Sequence, residues 1–234
     1  MPLPTVILPG YFASAAEYLN LQALLRDRGY PASIVPLKVS NWFITVGGRP
    51  ITPIANALAQ TIEAIRAQHN VSKVNLIGHS AGGWIARIFL GSTPYYGNVW
   101  NGRESVATLI TLGTPHVSQE RWTRYNLSFV NDNYPGAYWP EVKYVCVGGH
   151  ALQGRQAPWY RPREWNGAEW LAYSSYQLTV GDGRVWGDGI TPVVAAHLDG
   201  ATNLTIDRVM HSPRSDRFWY GSPAAAEQWI EYLQ

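Results

Sequence analysis

Gly78-His79-Ser80-Ala81-Gly82 matches the pattern G-x-S-x-G. That spacing suits a serine nucleophile on a sharp strand-to-helix turn. Small residues at both ends let strand and helix approach without collision, and the strained turn lifts the hydroxyl above the sheet. The start of the following helix adds free N–H groups and partial positive charge, which suit a developing oxyanion. The bland alternative is a structural glycine turn. A serine is a weak nucleophile near neutral pH and needs an adjacent base. His211, in Val209-Met210-His211-Ser212-Pro213, follows the last expected strand and is the candidate. His79 stands too close to Ser80 to face it easily, and His69, His116, His150 and His197 flank other elements. A carboxylate should orient the imidazole and stabilise its charged form. Asp188, in Gly187-Asp188-Gly189-Ile190-Thr191-Pro192, is preferred, because one connection and one strand fit between it and His211. Asp182 in Gly181-Asp182-Gly183 is the alternative, with Asp199 and Asp207 behind it. Two backbone donors would complete the site. Ala81 N–H follows the nucleophile, and Tyr11 N–H is expected from the loop Pro9-Gly10-Tyr11-Phe12, with Phe12 as the second choice.

The elements that must position these groups alternate between strand and helix, as in an α/β protein with a mostly parallel sheet. Strands are expected at 5–8, 32–37, 73–77, 106–112, 142–147 and 203–206. Ser14 and Glu17 form a capping-box pair ahead of a helix ending at Gly29. Thr52 as N-cap and Pro53 open a second helix, with Ile54, Leu58, Ile62 and Ile65 as its apolar stripe. A third runs from the serine motif through Leu90, and a C-terminal one from Ser222-Pro223 through Leu233. Residues 151–180 read as an irregular, aromatic and basic insertion.

The 234 residues suit a single domain. With 46% apolar residues, 15% charged residues and a net charge of +2, the chain is globular and not strongly basic. That balance argues against nucleic acid as a partner. The one cysteine, Cys146, leaves no disulfide framework and no cysteine-based zinc site, and reads as a buried strand residue. Neither a membrane span nor a secretory leader is apparent, so a cytoplasmic location is expected, with peripheral membrane contact open.

Together these residues make the chain resemble the α/β-hydrolase superfamily, particularly its lipase and esterase branch. The order Ser80, Asp188, His211 is that superfamily's order. Leu8-Pro9-Gly10-Tyr11 resembles the oxyanion loop in which many lipases have His-Gly; here Pro9 replaces a histidine that often braces the loop. Leu112-Gly113-Thr114-Pro115-His116 and Gly187-Asp188-Gly189 resemble segments of triacylglycerol lipases, and Trp122–Leu127 is similar to lipase-like proteins of cyanobacteria and plastids. The resemblance implies an α/β-hydrolase fold and carboxylic ester hydrolysis, of lipids first, through an acyl-enzyme on Ser80, with neither metal nor organic cofactor. An acyltransferase or thioesterase with the same triad is the nearest alternative. A non-catalytic binding protein on a hydrolase scaffold is the other.

Substrate-facing residues are harder to read. Trp159, Tyr160, Trp165 and Trp170 with neighbouring arginines suit a lid over 155–170 or a packed cap. Phe12, His79, Tyr138, Trp139 and Trp159 are the candidate pocket residues.

Overall fold

Along the first strand, Thr5–Leu8 (β1), successive side chains face two different apolar layers: Val6 and Leu8 enter one, Ile7 the other. That period of two recurs across the central sheet. Leu76, Leu109 and Cys146 join the layer of Val6, while Ile77, Ile110, Val145 and Val147 join that of Ile7. The protein's structure is a computed structural model that describes residues 2–156, 166–214 and 218–234, without the side chain of Trp122.

The other strands are Ala32–Ile34 (β2), Val74–His79 (β3), Val106–Leu112 (β4), Lys143–His150 (β5), Leu152–Gln153 (β6), Trp186–Gly187 (β7) and Thr202–Asp207 (β8). Six of them form one sheet in the order β2-β1-β3-β4-β5-β8, with every pairing parallel. β6 and β7 form a small antiparallel pair beside it. Such a sheet needs apolar cover on both faces. The helices Thr52–His69 (α2), Ala81–Leu90 (α3) and Arg121–Asn133 (α4) cover one face through Leu58, Trp84, Leu127 and Val130. The helix Leu19–Asp27 (α1) and the C-terminal residues Ala225, Ala226 and Trp229 cover the other. The sheet is built outward from β1 to β2 and then back to β3 on the opposite side of β1. That reversal opens a crevice at the carboxyl ends of β1 and β3, where ligands bind in open α/β sheets.

The expected strands are all present, with β1 and β4 at the expected bounds and the others displaced by a few residues. Two expectations need correction. Residues 151–180 are not irregular throughout, for Gly167–Val180 forms a helix (α5) capped by Asn166 and ended by Gly181 at φ 81°. Its core contacts are Ala172 and Tyr176, whereas Trp170, Leu171 and Leu178 stand exposed, so no apolar stripe marked it. The C-terminal helix is Pro223–Ala226 only (α7). The chain then turns so that Trp229 is fully buried and its indole N–H donates to Tyr220 C=O at 3.0 Å. The short helix Val193–Ala196 (α6) completes the set, and among the described residues no helix is long and apolar enough to cross a membrane.

Candidate active site

Ser80 sits between β3 and α3 at φ 51°, ψ −124°, a strained conformation for a residue with a side chain. Three surroundings enforce it. Ser80 N–H donates to Leu112 C=O at 2.8 Å, and Thr114 Oγ1 donates to Ser80 C=O at 2.8 Å. The glycines supply the close approach: a Cβ on Gly78 would lie 2.6 Å from Gly83 Cα, and one on Gly82 would lie 2.5 Å from Leu8 C=O. The elbow is thereby pressed against the end of β1.

His211 lies on the loop after β8, and its Nε2 is 3.0 Å from Ser80 Oγ. Its Nδ1 is 2.7 Å from Asp188 Oδ2. Residues 80, 188 and 211, far apart in sequence, thus form one continuous chain of contacts. Asp188 is fully buried just past β7. Its Oδ1 accepts the N–H groups of Ile190 and Thr191 at 2.9 and 2.6 Å, and its Oδ2 also accepts the Tyr220 hydroxyl at 2.7 Å. Burial alone would raise this carboxyl, but the charge and hydrogen bond of His211, with Thr191 N–H and the Tyr220 hydroxyl, hold it below the usual carboxylate value. Asp182, the alternative, lies elsewhere, in the turn after α5, where its Oδ1 accepts Arg184 N–H at 2.9 Å. Asp199 and Asp207 are surface positions, the first ahead of β8 and the second its last residue.

The two backbone donors expected beside Ser80 differ from their neighbour Gly10. Gly10 N–H is engaged by the Tyr18 hydroxyl at 2.9 Å, whereas the N–H groups of Tyr11 and Ala81 have no partner among the described residues. Phe12, the second choice, has φ 55° and its ring rests against Phe43. A crevice lined by Gly10, Tyr11, Tyr18, His79, Ser80, His211 and Arg214 runs between these groups.

The candidate pocket residues divide. Tyr11 and Phe12 line an apolar cavity of about 230 Å³ with Val46, Ile51 and Trp84. His79 lines the crevice, but the residue is 3% exposed and both ring nitrogens are engaged, so it is a structural part of the crevice wall. Tyr138 and Trp139 require correction: they immediately precede β5, at its amino end, and Trp139 stacks under Arg103 at 4.0 Å. In a parallel sheet every strand enters at the end opposite the crevice, so the loop after α4 cannot line it. Trp159, and most of the proposed lid, lie outside the described residues. No group of histidines, cysteines and carboxylates suited to a metal occurs among the described residues.

Several supporting residues carried no sequence signal. Tyr220 joins Asp188 to Gly149, whose N–H it accepts at 2.8 Å. Tyr176 accepts Gly189 N–H at 2.8 Å, and Thr191 Oγ1 donates to Gly113 C=O at 2.9 Å. Gly113 belongs to the Leu112–His116 motif, which the sequence offered only as a resemblance. The same motif places His116 in the interior, against the buried Arg87.

Comparison with solved structures agrees with this architecture. Est1E from Butyrivibrio proteoclasticus aligns over 98% of this chain and 88% of its own, at 12% identity and a TM-score of 0.50. Aspergillus fumigatus lipase B aligns over 62% of this chain, at 17% identity and a TM-score of 0.44. An esterase from Exiguobacterium antarcticum aligns over 51%, at 22% identity and a TM-score of 0.32. The matched region spans 37% of the lipase and 41% of that esterase. Of these, the alignment with Est1E spans nearly the whole chain and shows fold alone, and the fold is that of the α/β-hydrolases. A search of curated proteins finds no match to the chain. The profile of the PGAP1-like alpha/beta domain matches residues 12–138, which include the Ser80 elbow, and the chain belongs to that family.

Proposed function

We propose that this protein is a serine hydrolase of carboxylic esters, with lipid esters as its substrates. The observation that carries the reading is the unbroken chain from Ser80 Oγ through the His211 ring to Asp188, spanning 3.0 and 2.7 Å. In this reading Ser80 Oγ attacks the ester carbonyl while His211 Nε2 takes its proton. Asp188 holds the imidazole in the required tautomer and stabilises its charge. Tyr11 and Ala81 N–H groups receive the oxyanion, and the dipole of α3 adds to their field. His211 then protonates the leaving alcohol, leaving an acyl group on Ser80. Water, deprotonated by the same imidazole, releases the acid. No step needs a metal or an organic cofactor.

The lipid part of the proposal has two supports. The cavity of about 230 Å³ beside Tyr11 is walled by Val46, Ile51 and Trp84, which suits an apolar acyl chain. A second cavity of about 260 Å³ lies on the His211 side, with Leu152, Leu171, Ile190 and Met210. His211 must reach the leaving oxygen, so the alcohol belongs on that side. Substrates with apolar groups on both sides of the ester fit this arrangement.

The test is labelling with a fluorophosphonate, followed by mass spectrometry of a lipid extract incubated with the protein. Labelling of the wild type and its loss in Ser80→Ala is the expected result, with one class of ester consumed by the wild type alone. Labelling that survives Ser80→Ala, or a wild type that takes no label, refutes the reading.

A further inference from the structure

The loop after β1 and the loop bearing His211 are tied together twice. The outer tie is charged. Arg214 Nε contacts Glu17 Oε2 at 2.6 Å, its Nη2 donates to Phe12 C=O, and Glu17 Oε1 accepts Ser14 N–H at 2.8 Å. The Arg214 side chain is 54% exposed, and an ion pair in that setting contributes little.

The inner tie is buried. The Tyr18 oxygen accepts Gly10 N–H at 2.9 Å and lies 2.7 Å from His79 Nδ1. His79 Nε2 lies 3.0 Å from the backbone carbonyl of His211. A carbonyl oxygen only accepts, so His79 Nε2 must carry the hydrogen. Nδ1 is then a lone pair, and the Tyr18 O–H must donate to it. A single tautomer therefore satisfies every group, in one direction: Gly10 N–H to Tyr18, Tyr18 O–H to His79, His79 N–H to His211 C=O. The fit is close. A Cβ on Gly10 would lie 2.9 Å from His79 Nδ1 and 3.0 Å from Ser80 Cβ.

Resting on the hydrolase reading above, we propose that Tyr18 and His79 are positioning residues that hold the Tyr11 N–H and the His211 imidazole in register across Ser80. Pro9 gives the loop no side chain able to brace it from within, and this relay does so from the opposite wall. Oxyanion donors act only over a narrow range of distances, so the register of this loop governs the rate. Burial, with the nearby charge of His211, holds His79 down to about 3. The groups around it are Tyr18, His211, Asp188 and the rings of Trp219 and Tyr220. His79 therefore stays neutral, and keeps its tautomer, when His211 becomes charged during turnover.

The test is Tyr18→Phe in the full chain, with p-nitrophenyl butyrate as substrate and phenylboronic acid as a mimic of the tetrahedral anion. The expected result is a fall in kcat of about tenfold or more, with KM within about twofold and boronate affinity falling in step with kcat/KM. A role in packing alone would lower the unfolding midpoint and leave kcat and boronate affinity within about twofold, and that result overturns the proposal. If the variant does not fold, nitrogen-15 spectra of the wild type decide. They should show His79 neutral, with hydrogen on Nε2 and an accepting Nδ1, from about pH 5 to 8. The other tautomer, or titration near the ordinary histidine value, overturns it. A wild type that takes no fluorophosphonate refutes the hydrolase reading itself, before any variant is compared.

Discussion

Tyr220→Phe isolates one hydroxyl in a fully buried ring. That hydroxyl donates to Asp188 Oδ2 at 2.7 Å and accepts Gly149 N–H at 2.8 Å. The substitution keeps the ring and its packing, so no large cavity forms. It removes a hydrogen bond to a charged group, worth about 1.5–3 kcal/mol, and orphans a buried N–H, costing about 1–3 kcal/mol. The two are not additive, because the hydroxyl's own burial cost also disappears. A net loss of about 2–4 kcal/mol is expected, or roughly 5–12 °C in Tm for a chain of this size. Catalysis should suffer less. Asp188 still accepts from Ile190 N–H, Thr191 N–H and His211, so it stays ionised at neutral pH and kcat should fall by about tenfold at most. The hydroxyl favours the charged carboxylate, so its loss moves the acid edge of activity to higher pH. Urea unfolding followed by tryptophan fluorescence and hydrolysis of a short ester measure both effects. A stability change under about 0.5 kcal/mol refutes the reasoning, as does a kcat loss as large as that of removing Asp188 outright.

Other substitutions report on other parts of the site. Asp188→Asn presents an amide N–H to His211 Nδ1, forcing the tautomer that cannot accept the Ser80 proton; steady-state kinetics should show kcat lower by about a thousandfold or more, with a folded far-ultraviolet spectrum. Gly82→Ala drives a methyl group into the backbone carbonyls of Leu8 and Pro9, at 2.5 and 2.9 Å, so unfolding should be easier by about 2 kcal/mol or more and labelling of Ser80 slower. Stability should fall with acid. Burial holds His79 down to about 3 and His116 well below its ordinary value, the latter with Arg87 adding to the effect. Both are neutral in the fold and take up protons on unfolding, so their contribution is complete above about pH 6.5 and is lost as pH falls, at about 1.4 kcal/mol per pH unit each. Urea unfolding at pH 7.5 and 5 should differ by about 4 kcal/mol, with Asp188 adding to the loss only in stronger acid. Equal stability at the two pH values counts against the buried, neutral assignment.

Residues whose partners lie next to them in sequence were legible without coordinates. The elbow around Ser80 is one, because glycine spacing, a preceding apolar strand and a following helix are all local properties. The short apolar runs of β1 and β4 and the Ser14–Glu17 pairing are others. Asp188 and His211 could be ranked but not joined, because their meeting depends on how β8 and the loop after β7 are laid against the sheet. What the sequence could not express is contact between segments distant along the chain. Tyr18, His79, Thr191 and Tyr220 carry no such signal until folding sets their hydroxyls and ring nitrogens within about 3 Å of partners in other segments. Tyr138 and Trp139 show the converse, since aromatic composition says nothing about which end of the sheet a loop occupies. α5 escaped notice because its apolar residues face outward. Local chemistry and periodicity thus determined the strand–helix alternation and the elbow that carries Ser80. Strand order and register, which depend on the whole chain packing at once, decided which polar groups support it.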